Sequence, residues 1–348
     1  MIANLFKAEF IVLPLKWMKA VLIITLCCFS FYVFSEPLNT SVGDDLDSMP
    51  RQSAIDESVI TLLNNMKNTV LNTDYKIHFV QQESNGYSNT FQYRHLGANN
   101  ENYANLLYLE GAPKEIILHN DTVSYFQPES ESFSLAIKHI IEAFPDIIYS
   151  DFNKLSEYYD FVLLGKSRTA NRNSQLVRII PKDKDRYNYV LWIDDDSNLP
   201  LRIDLLDLNS KIIKQIKVLD VNFDFDKHAF KNYIEDRDYP IIIPINKEKQ
   251  QVNSWQIDFL PKGFSEISAY NFDFDKTNID TGIFSDGVFS FSVNVSKSPL
   301  ANKLANVIAQ GERTIYSANI NHMNIVIIGD LPPETIEHIA NSINIKLP

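Results

Sequence analysis

Seven histidines, 44 carboxylates and 32 basic side chains supply ample material for acid–base or metal chemistry, yet their spacing assembles no familiar constellation. The histidines (His78, His95, His119, His139, His228, His322 and His338) are scattered, with neither an HExxH run nor paired-ligand spacing. Leu164-Gly-Lys-Ser167 ends like a phosphate loop, but Asp160 stands where the loop needs its first glycine. The acidic run Asp194-Asp195-Asp196 lacks the alternating ligands, central glycine and distant glutamate of a calcium loop, so it reads as turn chemistry. There is no G-x-S-x-G elbow, and Cys27 and Cys28 sit together inside one apolar run. These patterns nominate no catalytic residue, no metal site and no cofactor. The expectation is a non-enzymatic protein.

Binding residues are more legible. Phe79, Phe91, Tyr93, Tyr108, Tyr125, Phe126 and Phe133 crowd the first half of a strand-rich region, and Trp192 lies further on. Shared inner-face positions make them either an ordinary core or the lining of a cavity for an apolar ligand. Arg94, Lys114, Arg168, Arg172 and Arg178 are the basic residues placed to meet an anionic head group at a rim, since guanidinium offers bidentate geometry.

The elements that must position these side chains follow from periodicity. From Glu57 to Asp74 the apolar residues keep helical spacing and give one broad face. Strands are expected at 75–81, 89–96, 104–110, 114–119, 122–127, 132–136, 159–166, 174–181, 187–194, 199–208 and 211–224, with short helices or turns near 137–143 and 151–156. That series predicts an antiparallel sheet curved around one helix. Glu235 to Gln251 is charged and Pro-containing and reads as a linker; its apolar run Ile241–Ile245 is expected to lie against one domain. Beyond it, strands at 255–259, 264–270, 282–285, 288–295, 314–319 and 325–328, plus a helix opening near Pro332 and Pro333, predict a small α+β domain. Asp286-Gly287 is a hairpin turn signal. The division is therefore 1–35 leader, 36–56 lead-in, 57–234 large β domain, 235–251 linker and 252–348 small domain.

Lys16 and Lys19 before the uncharged run Ala20–Phe34, with Val33 and Ser35 before Glu36, form a signal-peptide pattern, and Met18 is a plausible alternative start. Removing residues 1–35 takes away Lys7, Lys16, Lys19 and Glu9, a net +2, and moves the charge from −12 to −14. A chain this acidic has no general electrostatic attraction for nucleic acid. Cleavage near Ser35 also removes both cysteines.

The hairpin Tyr187–Asp207, with its Trp-Ile-Asp and Leu-Pro-Leu-Arg arms, resembles the periplasmic lipoprotein-carrier fold, an unclosed barrel around an apolar cavity. Tyr93-Arg94-His95, the segment Tyr149–Phe161, Leu260-Pro-Lys-Gly-Phe-Ser-Glu266, the segment Phe284–Val293 and Gly329-Asp-Leu-Pro-Pro333 accompany it in order. Together these resemble the RseB/MucB family of periplasmic regulators of an envelope-stress sigma factor, from about Ser58 to the C-terminus. The resemblance implies binding to the periplasmic segment of a membrane-spanning anti-sigma factor, shielding of that segment from the site-1 protease, and release by lipopolysaccharide or another lipid. A homo-oligomer is left open, and a plain lipid or lipoprotein carrier is the alternative. Under this reading the aromatic residues line the lipid cavity and the five basic residues meet its phosphates. Tyr239, Ile241, Ile243, Phe264, Phe289 and Phe291 are then candidates for the anti-sigma surface. Gly111-Ala-Pro-Lys-Glu115 departs from the family's Gly-Pro followed by two basic residues, and Gly311–Met323 matches loosely.

Overall fold

The computed structural model describes residues 57–128, 130–243, 255–274, 277–298 and 303–345. The expected leader, the lead-in, both cysteines and linker residues 244–251 lie outside the described residues.

Helix α1 (Glu57–Asn72) buries Val59, Leu63, Met66 and Val70, a single stripe at three- and four-residue spacing. The sheet that receives it runs through β1 (Tyr75–Glu83), β2 (Ser88–Leu96), β3 (Tyr103–Tyr108), β4 (Glu115–His119), β5 (Thr122–Phe126) and β6 (Phe133–Leu135). A 3-10 turn (Asp146–Tyr149) and the short helix α2 (Phe152–Leu155) then cross toward the other half. That half contains β7 (Tyr159–Thr169), β8 (Arg172–Pro181), β9 (Asn188–Asp194), β10 (Pro200–Leu206) and β11 (Ile212–Asn222). The order is β6-β5-β4-β3-β2-β1-β11-β10-β9-β8-β7, an eleven-stranded antiparallel sheet whose ends β6 and β7 do not pair. It is an unclosed barrel around α1, as expected. Helix α3 (Lys227–Glu235) was not foreseen: it packs on the outer face, where Phe230 and Ile234 cover Leu96, Tyr103 and Ile117.

The small domain has its own six-stranded sheet. Its strands are β13 (Ser265–Phe274), β14 (Thr277–Ser285), β15 (Ser290–Lys297), β16 (Lys303–Gln310), β17 (Arg313–Ile320) and β18 (Met323–Gly329). They lie in the order β13-β14-β15-β18-β17-β16, and helix α4 (Pro333–Asn341) buries Ile336 and Ile339 against it. Strands β12 (Trp255–Ile257) and β19 (Ile343–Ile345) form a separate pair. Close approach fixes two glycines here. A Cβ on Gly329 would stand 2.4 Å from the Phe291 Cβ, and one on Gly282 would stand 2.8 Å from the Trp255 ring. One contiguous buried core runs from Val59 and Leu63 through the barrel interior to Phe291, Ile327 and Ile336.

Candidate functional site

Strand alternation builds the aromatic interior. Register places Phe79 opposite Phe91 and Phe91 opposite Tyr108, so these rings form a row across three strands. Phe79 and Phe91 stack at 4.9 Å, and Phe91 meets Tyr108 edge-on at 4.6 Å. Tyr93 packs on Phe144 and is 2% exposed; Phe79 is fully buried. These three belong to a filled core under α1 and the 137–155 crossover. The rings nearest the expected rim are Tyr108, Tyr125 and Phe133: Tyr125 and Phe133 stack at 4.8 Å, Lys114 Nζ stands 4.8 Å over the Tyr108 ring, and the Tyr125 hydroxyl donates to Glu142 at 3.4 Å. Burial, with the nearby Glu142 charge, keeps both phenols protonated well above the ordinary tyrosine range.

Two of the expected cavity residues point the other way. Phe126 follows Tyr125 directly and therefore faces outward, under α3 with Tyr239. Trp192, between inward-facing Leu191 and Ile193, packs outside on Val190 and Leu206 with the Arg202 guanidinium 4.3 Å above its ring. Nor do the basic candidates converge on the rim. Arg94 is covered by α3, with its guanidinium 4.4 Å above Phe230 and a bond to Asn105 at 2.9 Å. Arg172 pairs with the buried Asp194 at 2.8 Å, Arg178 bonds Ser210, and Arg168 bonds Asn171. Of the five, Lys114 alone sits beside the aromatic row.

The anti-sigma candidates divide into two places. Tyr239 packs with its ring tilted against His119 and Phe126 and donates to the Ile234 carbonyl at 2.7 Å. The chain then runs parallel to β6: Ser134 N donates to Ile241 O at 3.0 Å, and Ile243 N donates to Ser134 O at 2.8 Å. Its side chains stand out, with Ile241 84% and Ile243 43% exposed. Phe264, Phe289 and Phe291 are buried instead, at 8%, 2% and 1%. Phe291 stacks on Phe284 inside the small domain, while Phe289 faces Tyr189 across the domain boundary at 5.7 Å.

That boundary is the most strongly built polar site among the described residues, and its charges were not singled out from sequence. Arg186 stands near the end of the loop between β8 and β9 and is 1% exposed. Its NH1 donates to Asp286 Oδ2 at 2.8 Å, its Nε donates to Asp183 Oδ1 at 3.2 Å, and its NH2 also bonds Asp183. The Tyr159 hydroxyl donates to the same Asp286 oxygen at 2.6 Å. Burial by itself would lower the arginine's pKa; the bonds to Asp183 and the charges around it outweigh that and hold it above the ordinary range. Burial and the Asp286 charge keep Tyr159 a neutral donor. Ser150 Oγ donates to Gly287 O at 3.1 Å, and Gly263 lies so close that a Cβ there would stand 2.8 Å from the Tyr158 ring. The motif segments 149–161, 260–266 and 284–293 thus meet at one interface. Lys214 and Glu312 add a second bridge at 2.9 Å.

Fold and site define a two-domain β protein, an unclosed antiparallel barrel carrying a docked α+β module. The MucB/RseB N-terminal domain description matches residues 58–241, and the MucB/RseB C-terminal domain description matches residues 249–344. The chain belongs to the MucB/RseB family. The Sigma-E factor regulatory protein RseB of Haemophilus influenzae is 36% identical over 295 residues, covering 84% of this chain and 93% of the relative. RseB of Escherichia coli K12 is 32% identical over 285 residues, covering 81% and 89%. The solved complex of Pseudomonas aeruginosa MucA/MucB shares the fold, with a TM-score of 0.66 at 20% identity over 84% of this chain and 100% of that one.

Proposed function

We propose that this chain is a periplasmic, non-enzymatic negative regulator of an envelope-stress sigma factor. It binds the periplasmic segment of a membrane-spanning anti-sigma factor and keeps the site-1 protease from it, and a lipid such as lipopolysaccharide relieves the block. Membership of a family whose relatives are Sigma-E regulatory proteins supports this reading, as does the MucA/MucB complex. The carrying observation is that both family domains are present and joined through a buried interface, from Arg186 and Tyr159 to Asp286. A carrier has no need of the second domain.

Lipid would enter at the Tyr108–Tyr125–Phe133 rim, beside Lys114. With one lysine there and Glu142 close by, acyl chains rather than phosphates would dominate recognition. The aromatic row also suits the alternative, a lipid or lipoprotein carrier. One assay separates the two: the mature protein is mixed with the periplasmic domain of its anti-sigma factor and the site-1 protease, with and without lipopolysaccharide. Slowed cleavage that lipid restores is the expected result. Lipid binding without any protection would leave the carrier.

A further inference from the structure

Four consecutive residues of the small domain, Asp286-Gly-Val-Phe289, make the hydrogen bonds and the stacked ring against Arg186 and its neighbours, beside Phe264, whose ring lies 5.6 Å from the Arg186 guanidinium. The Asp286 carboxylate has two functions. Its Oδ1 accepts the Val288 and Phe289 amides, each at 2.8 Å, and so shapes the turn. Its Oδ2 crosses the boundary to the Tyr159 hydroxyl at 2.6 Å and Arg186 NH1 at 2.8 Å, and both ionic side chains are 0% exposed. Gly287 takes φ +94, a left-handed conformation that L side chains rarely adopt, and offers its carbonyl to Ser150 at 3.1 Å. Phe289 lies nearly parallel to Tyr189, at 16° and 5.7 Å, with Tyr187 edge-on at 6.2 Å.

We propose that the large domain carries a binding socket for an acidic–aromatic turn, built from Arg186, Tyr159, Ser150, Tyr187 and Tyr189, and that residues 286–289 fill it in cis as a detachable plug. The ligand class in trans is a peptide with a carboxylate, then glycine, then an aromatic ring three positions after the carboxylate. This assignment goes beyond the regulatory reading above and shares with it only the docked interface. Its physical basis is the cost of unmatched buried donors: Asp183 holds Arg186 from within the large domain, but without the Asp286 carboxylate the Arg186 NH1 and the Tyr159 hydroxyl lose their acceptor inside the interface.

Asp286→Asn spares the turn and breaks the crossing, because asparagine keeps the oxygen that accepts the two turn amides but puts an amide NH2, a donor, where Oδ2 accepted from Arg186 and Tyr159. In full-length Asp286→Asn the docked state is expected to weaken by on the order of a hundredfold or more. X-ray scattering would then show an enlarged radius of gyration while circular dichroism keeps the wild-type strand signal. Arg186→Met combined with Asp286→Asn should dock again. A labelled peptide Phe-Ser-Asp-Gly-Val-Phe-Ser, titrated into the Asp286→Asn chain, should bind at least tenfold tighter than the same peptide with asparagine for aspartate. That preference should vanish in the double variant, and the wild type, whose plug competes at about millimolar effective concentration, should bind neither well. Should Asp286→Asn fail to fold, Tyr159→Phe removes one of the two donors to Oδ2 and gives the same comparison in weaker form. A docked Asp286→Asn chain, or two peptides that bind equally, overturns the proposal.

Discussion

Single side chains decide what this protein's polar groups are for. His95 is 4% exposed, and its Nδ1 lies 2.8 Å from the Thr73 carbonyl, a bond that fixes the ring near the end of α1. Burial lowers its pKa from 6.5, against the opposing bond to Thr73 and the Asp74 charge. A lowered histidine pKa means that the unfolded chain takes up the proton first. Stability is therefore retained above pH 6.5 and falls as the pH drops from there toward the depressed folded value. Urea titrations at pH 7.5 and 5.5 are expected to show that loss, and His95→Gln should show less of it. Equal losses in both proteins would remove His95 as the cause. The arginines teach a related lesson. Arg94 and Arg172 have the right chemistry for a phosphate, but the packing of Phe230 and the carboxylate of Asp194 already occupy them.

At the scale of elements, periodicity works where both faces of a segment differ in environment. The inward set Tyr189, Leu191 and Ile193 and the outward set Val190 and Trp192 are separated by alternation alone. By the same rule Phe126 and Trp192 belong outside, apart from the inward-facing rings. Helix α3 escaped notice because only Phe230 and Ile234 of its nine residues are buried, too few for a strong periodic signal. Its one local mark is Asp226, whose carboxylate accepts the Ala229 amide at 2.9 Å as an N-cap. Asp226→Ala should cost about 1 kcal/mol in urea unfolding and loosen the cover over Arg94, Tyr103 and Ile117. An unchanged midpoint would mean that α3 contributes little to the barrel. Strand β16 was missed for a similar reason, since much of it is solvent-exposed and its Ile308 is 53% exposed.

For the whole molecule, the question is whether two sheets make one cooperative unit. The buried core is continuous from α1 to α4, and Arg186, Asp286 and Tyr159 seal it with matched charge and hydrogen bonds. Calorimetry of the wild type is expected to give one unfolding transition in which both domains melt together. Two resolved transitions would show that the interface couples the domains weakly. The Lys214–Glu312 bridge lies nearer solvent, and its loss should shift the midpoint little. Burial of Phe264, Phe289 and Phe291 also bears on the regulatory reading. An anti-sigma segment meeting the docked form finds Tyr239, Ile241 and Ile243 along the β6 edge, not those three rings.

The sequence by itself determined the strand series, the helix at its centre, the small second domain and the family, because period-two alternation, turn residues and short motifs are local and survive in one dimension. Tertiary structure alone decided which charges were still open to a ligand and which were consumed. Arg186 and Asp286 stand a hundred residues apart, and nothing in the residues around either one reports the other. Their pairing depends on how two separately built sheets dock, and burial makes that pairing obligatory, since a charge removed from water must find its partner within the fold.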